Sequence, residues 1–477
     1  MFTHTEKPVP KCIFNEMFAQ DGSVRAHYEA LYQQLQKLGL EELASRAQEI
    51  HRQMILEGIT FQLSSADHRV ERTIPFDVIP RIIPKNDWTT IEAGLKQRVQ
   101  ALNLFLHDMY HDQHFIKDGI IPRRAIINNP YFVPDMMQLD IPENTYIAIS
   151  GIDLIRDEKG NYYVLEDNLR TPSGLSYIFK NRMLMMHHFP DLYFSYHIAG
   201  LDPGMQDLLT TLQALAPSHQ KNPVVVLLTP GRYNSAYFEH VFLAQQMGIE
   251  LVEGADLRVI NQKVYLNSID GLKQVDVIYR RIDDSFLDPL AFNPNSLVGI
   301  PGLINAYRAG NVALANAPGT GIADDKFIYT KVPDMIRYYL HEEPILKNVP
   351  TYSLANPTDY AYVLDHLAEM VVKQTTLSGG YGMLIGPQES TDTIAAFRDK
   401  IIKNPQWYIA QPVIQLSQSP VLCGTSLEHR YIDLRPFIFS AKKQTVLPGG
   451  LTRVAMRRGS LVVNSSQGGG SKDTWIV

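Results

Sequence analysis

Residues 151–174 read GIDLIRDEKGNYYVLEDNLRTPSG, two apolar runs carrying five acidic side chains around a glycine-containing turn. As an antiparallel hairpin with a four-residue loop over 158–161 and Gly160 in the left-handed position, this stretch sets Asp153 directly opposite Glu166. Side chains alternate along a strand, so Glu166 and Asn168 share a face with Asp153. Two carboxylates that close raise one another's pKa unless a cation lies between them, and an all-oxygen donor set is what Mg2+ prefers. The plainer alternative leaves Asp157, Glu158 and Asp167 as solvated charges and Asp153 with Glu166 as an edge pair.

Two lysines stand in contexts that ask for an anion. VVKQTTLSGGYGMLIG places Lys373 on an apolar strand, followed by Gly379, Gly380 and Gly382, whose backbone N–H groups could approach phosphate oxygens. GTGIADDKFIYTK puts Lys326 at the start of a helix, where an ammonium makes most sense beside a bound phosphate. A plain hairpin turn and an exposed first-turn lysine are the alternatives.

The elements that must position these residues follow from hydrophobic periodicity. A helical pattern over 22–62 carries Leu31, Leu35, Leu38, Leu43 and Ile50, and RTIPFDVIPRIIPKNDW then reads as extended chain. Thr89 and Glu92 form the signature of a capping box for a helix with Ile91, Leu95, Val99, Leu102 and Leu106 on its apolar face. The runs VVVLLTPG, IELVEG and VDVIYRRID, with an intervening helix, make residues 223–284 a small α/β unit with a parallel sheet, without the glycine fingerprint of a dinucleotide site. From residue 359 the order becomes helix, MVVKQ, glycine loop, MLIG, helix, WYIAQPVI, then strands to the end.

At 477 residues, 45% hydrophobic, 20% charged and a net charge of -6, the chain has the composition of a multidomain globular protein with no basic run to attract nucleic acid. No apolar stretch approaches a membrane span and no signal peptide precedes the first helix, so a cytoplasmic location is expected. Cys12 and Cys423 fit a reducing compartment, and the 15 histidines show no zinc spacing. Nothing in the sequence speaks to oligomeric state.

Taken together, DDK, VVKQ with SGGYG, AQPV, and IDL with LEDN resemble the ATP-grasp superfamily of ATP-dependent ligases. The resemblance implies that Lys326, Lys373 and the loop glycines Gly379, Gly380 and Gly382 hold phosphates. It makes the strand with Gln411 and Val413 the adenine hinge, and Asp153, Glu166 and Asn168, at spacings of thirteen and two, the Mg2+ ligands. Here the metal segment precedes the lysines instead of following the hinge, so the chain looks like a circularly permuted ATP-grasp protein over residues 76–477. YRRIDDSFLDPL, AGNVALANAPGTGIADDK, PGGLTRVA and VNSSQGGGSKDTWIV are similar to that family, whose members have been labelled glutathionylspermidine synthases.

The fold implied is α+β and α/β: an N-terminal helical and extended segment (1–80), permuted elements with the metal hairpin (81–205), a Rossmann-like subdomain (220–310) and nucleotide-binding lobes (311–477). The implied activity joins a small-molecule or peptide carboxylate to an amine, using ATP and Mg2+, through an acyl phosphate. A phosphotransferase on the same nucleotide site, or a nucleotide-binding protein with little turnover, are the competing readings. Many ATP-grasp ligases carry arginine two residues before the metal Asp; here that residue is Gly151, which leaves Arg435, then Arg453, to face the transferred phosphoryl. Asn464, the tail glycines and Lys472 are expected to form an anion-binding nest, the alternative being a disordered tail. The turn after the hairpin puts Arg170, Ser173 and the backbone of Gly174 near an anionic substrate, and Arg281 at the crevice of the parallel sheet.

Overall fold

The structure, a computed structural model, describes residues 13–64, 69–217, 221–376, 382–464 and 468–477. Its centre is a ten-stranded mixed sheet. Along the main path run Lys347–Asn348, Tyr162–Asn168, Ile149–Arg156, Ser426–Arg435, Leu451–Val454, Gly470–Ile476 and Phe76–Ile83. Strands from residues 76–168 are thus interleaved with strands from residues 426–476. Leu154 and Val164 on the hairpin share a core with Ile91, Leu95, Val99, Leu102 and Leu106 of the helix Lys85–Tyr110.

That helix begins one turn earlier than its sequence signature suggests. Thr89 lies inside it, donating from Oγ1 to the Lys85 carbonyl at 2.9 Å, and Glu92 pairs with Lys96, so no capping box forms. The preceding Pro84 ends the strand Phe76–Ile83 in extended conformation, and a helix can start directly behind it. The N-terminal helix Glu29–Leu56 buries Leu31, Leu35, Leu43 and Ile50 as expected. It is broken at Gly39, which takes φ 76°, and Leu38 beside the break is only partly covered.

The C-terminal segment departs most from the sequence reading. Gly470–Ile476 is a fully buried strand of the central sheet, parallel to Phe76–Ile83, and neither a nest nor a disordered tail. Its glycines made the segment look like loop, yet its two charged side chains are answered inside. Lys472 pairs with Asp77 and donates to the carbonyls of Ile79 (2.9 Å) and Pro420 (2.6 Å), and Asp473 accepts from Arg182 and from the Trp475 indole. Pro80, which has no N–H to give, falls in the register shift between the two strands.

Two smaller sheets flank this centre. Ala313–Ala315, Val277–Arg280, Val225–Leu228 and Glu250–Val252 form a parallel sheet, the expected α/β unit with one more strand than the sequence showed. The fourth strand is three residues long, too short to register as a β-branched run. Tyr352–Ser353, Tyr408–Pro412, Met370–Gln374 and Met383–Ile385 make an antiparallel sheet backed by helices Pro357–Asp365 and Thr391–Lys403, in the expected order.

The buried strand end should be critical to stability. Trp475→Ala removes a fully buried indole whose N–H is bonded to Asp473, and should cost about 3–5 kcal/mol in urea unfolding. A loss below about 1 kcal/mol would mean that the last strand is not part of the cooperative core.

Candidate active site

The hairpin forms with Asp153 opposite Glu166, but by a different route from the one the turn suggested. Arg156 pairs with Tyr162, enclosing residues 157–161, one residue more than the four-residue loop expected, and a register shift after Asp153 restores the Asp153–Glu166 pairing. Gly160 takes φ 88° in the turn, and the Asp157 side chain accepts N–H groups from Lys159 and Asn161 instead of being solvated. Asp167, on the opposite face, is buried in a bidentate pair with Arg98 at 2.7 Å, which pins the hairpin to the long helix.

Antiparallel pairing of Leu434 with Leu154 brings Arg435 beside Asp153, and Asp433 lies directly opposite Arg453 on the next strand. Arg435 grips both Asp153 oxygens (2.5 and 2.8 Å), and Arg453 Nη2 adds a third contact at 2.8 Å. Arg453 also pairs with Asp433. Burial alone would push the Asp153 carboxyl up, but the two guanidinium groups outweigh it and hold the carboxyl at about 2. Glu166 pairs with Lys326 at 2.7 Å; burial raises its pKa, and Lys326 with Lys373 brings it below the ordinary value.

The balance of charge that seemed to demand a metal is therefore met by the protein's own cations. Among the described residues no group of three or more His, Cys, Asp or Glu side chains is placed to hold a metal ion. The donor types still suit Mg2+: Asp153, Glu166 and Asn168 offer only oxygens, and the Asn168 amide nitrogen is buried without a partner among the described residues.

One cavity joins these groups to an apolar slot. Asp153, Glu166, Asp433, Lys326, Lys373 and Arg453 line its charged end, and Val349, Val371, Ile385, Leu416, Leu461 and Val463 its apolar walls, with Gln411, Val413 and Asn464 beside them. Gln411 is fixed by donating to Thr351 Oγ1 at 3.0 Å. Lys326 opens a short helix behind Asp325, whose side chain accepts from Phe327 and Ile328, and its own backbone N–H donates to Thr375 just past Lys373. Lys373 has no hydrogen-bond or ion-pair partner among the described residues. Gly382 takes φ 65° at the end of the glycine loop, while Gly379 and Gly380 lie outside the described residues.

A family model described as circularly permuted ATP-grasp type 2 matches residues 80–455. The chain belongs to that family. It is accordingly an ATP-dependent carbon–nitrogen ligase of the ATP-grasp class. It is 50% identical to an uncharacterized protein of Synechocystis over 98% of each chain, and 48% identical to one of Mycobacterium tuberculosis over 97% of this chain and 84% of that one. A Frankia casuarinae protein named "Putative glutamate--cysteine ligase 2-2" is 41% identical over 97% of this chain and 53% of its own length. The chain thus spans about half of that relative. A glutathione synthetase like-effector from Globodera pallida, in apo form, shares the fold at TM-score 0.60 and 11% identity, covering 92% of this chain and 97% of that one.

Several residues expected at this ATP-grasp site lie elsewhere. Lys472 is buried against Asp77, away from the cavity, because its segment is a sheet strand. The Gly174 N–H, expected to meet an anionic substrate, donates to Glu239 at 2.8 Å; the same carboxylate accepts from Ser176, so the helix N-terminus is already filled. Arg281 neutralises that Glu239 at 2.9 Å and donates to the Pro172 carbonyl, buried rather than facing a crevice. Arg170 is held by Asp324 (2.8 Å) and Asp283 (3.3 Å) and lies over the Tyr131 ring. Ser173 is half-buried and its carbonyl accepts from Arg435.

Three positions that sequence reasoning passed over organise the same region. Asp433 stands two residues before Arg435 in IDLRPF, and strand alternation could have flagged it. Asp324, in the DDK motif, accepts from the Leu169 N–H and Arg170. Asn316 ties the start of one hairpin strand to the end of the other, accepting from Ala148 and Ile149 and donating to Leu169; nothing local marks it.

Burial pushes the Lys373 ammonium down to about 8, with Glu166 opposing the shift. Its charged form therefore costs stability below about pH 8, a cost that fades as pH rises toward the ordinary lysine value and that a bound anion removes. Competitive amine labelling across pH should give Lys373 a midpoint near 8, shifting upward when tripolyphosphate is added. An ordinary lysine midpoint with no response to the anion would contradict this electrostatic picture.

Proposed function

We propose that this ligase uses ATP to phosphorylate a small-molecule or peptide carboxylate and joins the acyl group to an amine. The observation that carries the reading is one cavity in which an apolar slot leads to three carboxylates and three cations, with the Lys373 ammonium making no ion pair among the described residues. The slot suits a flat base, with Gln411, Val413 and Asn464 as its polar and hinge contacts, and Lys326 and Lys373 are placed for the phosphates.

In the first step a substrate carboxylate oxygen attacks the γ-phosphorus, the bond to the β,γ-bridging oxygen breaks, and ADP leaves. The amine then attacks the acyl carbon, phosphate departs with the bonding pair, and the amine proton is lost to solvent. No protein nucleophile is needed; the side chains neutralise charge and hold reactants in line. Asp153, Glu166 and Asn168 are the residues that would hold Mg2+, which when bound draws off charge from the β- and γ-oxygens. Lys326, paired with Glu166 at 2.7 Å, would exchange that carboxylate for a phosphate oxygen when nucleotide binds.

The acid substrate would approach past Ser173 and Arg170, at the turn next to Arg435. Glutamate–cysteine ligation, named for a relative twice as long, and glutathionylspermidine synthesis both belong to the carboxylate–amine class proposed. A cytoplasmic setting agrees with two cysteines and with the absence, among the described residues, of any helix long and apolar enough to cross a membrane.

ADP release measured against panels of carboxylates with and without amines tests the proposal. Release should require both, and Lys373→Ala or Glu166→Gln should lower it by at least about 100-fold in a folded protein. Accumulation of a phosphorylated product with no amine requirement, or release needing neither substrate, would rule it out.

A further inference from the structure

We propose that Asp433 is a positioning residue that turns one edge of Arg453 toward the terminal phosphate of the bound nucleotide. The inference rests on the nucleotide reading of the cavity and goes beyond it by choosing between two arginines. Arg435 is fully engaged: Nε and Nη2 bond Asp153, and Nη1 donates to the Ser173 carbonyl at 3.2 Å. It does not line the cavity, although it was the first-named candidate in sequence.

Arg453 does line the cavity, and Asp433 determines how. The two side chains face one another across neighbouring strands, 1% and 4% exposed. Asp433 takes Nε through both oxygens (2.9 and 3.2 Å) and shares Nη2, whose second contact is Asp153. Nη1 makes no hydrogen bond among the described residues, and Arg453 lines the same cavity as Lys326 and Lys373. Without Asp433, the guanidinium would swing its paired nitrogens onto Asp153, already claimed by Arg435, and the free edge would turn away. A guanidinium edge fixed in advance costs no reorganisation when charge builds on a transferring phosphoryl group.

Calorimetric binding of the Mg2+ salts of ADP and of AMP-PNP, which adds the terminal phosphate, tests this. The unmodified protein should bind AMP-PNP more tightly than ADP. Asp433→Asn, which keeps the side-chain shape, should lower that preference about tenfold while ADP affinity changes less than about threefold. Arg453→Lys should do the same, and the double variant should lose no more than either single one, as expected for residues acting as a unit. Equal weakening of both nucleotides by Asp433→Asn, or fully additive losses, would overturn the positioning role while leaving the nucleotide site standing. Failure of the unmodified protein to bind either nucleotide would overturn the nucleotide reading itself.

Discussion

A carboxylate at position 153, enclosed between the guanidinium groups of Arg435 and Arg453, is the interaction on which the site depends. Taking such groups out of water costs several kcal/mol per ion, and the cost is recovered only if their geometry is good and every remaining oxygen and N–H is used. That requirement explains why the hairpin, the strand Ser426–Arg435 and the strand Leu451–Val454 lie side by side although they are far apart in the chain. It also explains the second tier, in which Asp433 balances Arg453 and Glu166 balances Lys326. Lys373 is the cation left over, and the cavity is built around that surplus.

The permuted order of the chain has a mechanical consequence. The strands that carry the acidic hairpin come first, and the final strand returns to lie between Leu451–Val454 and Phe76–Ile83, bringing Lys472 and Asp473 with it. Both are satisfied by partners from much earlier in the chain, Asp77 and Arg182. The result ties residues 76–83 and 470–476 into one core.

Much of this was legible from residue types alone. The hairpin itself was legible, although Asp153 meets Glu166 through a register shift that the expected loop did not include, and β-branched runs marked three of the four strands of the small parallel sheet. What escaped was decided by long-range pairing. The tail looked like loop because of its run of glycines, and only partners hundreds of residues away make a strand with Lys472 and Asp473 tolerable there. The turn at 171–174 looked like an anion site because its occupant, Glu239, arrives from the parallel-sheet unit. Arg435 came before Arg453 as the sequence candidate; that Arg435 is fully engaged while Arg453 lines the cavity depends on register that no local pattern carries.

The most direct test is a structure of the protein crystallised with Mg2+ and AMP-PNP. The account predicts the base between Val349 and Leu416, the phosphates on Lys326 and Lys373, and Glu166 released from Lys326 to face the metal. A nucleotide bound outside this cavity, or one seated there with Lys326 still on Glu166 and no contact to Lys373, would contradict it.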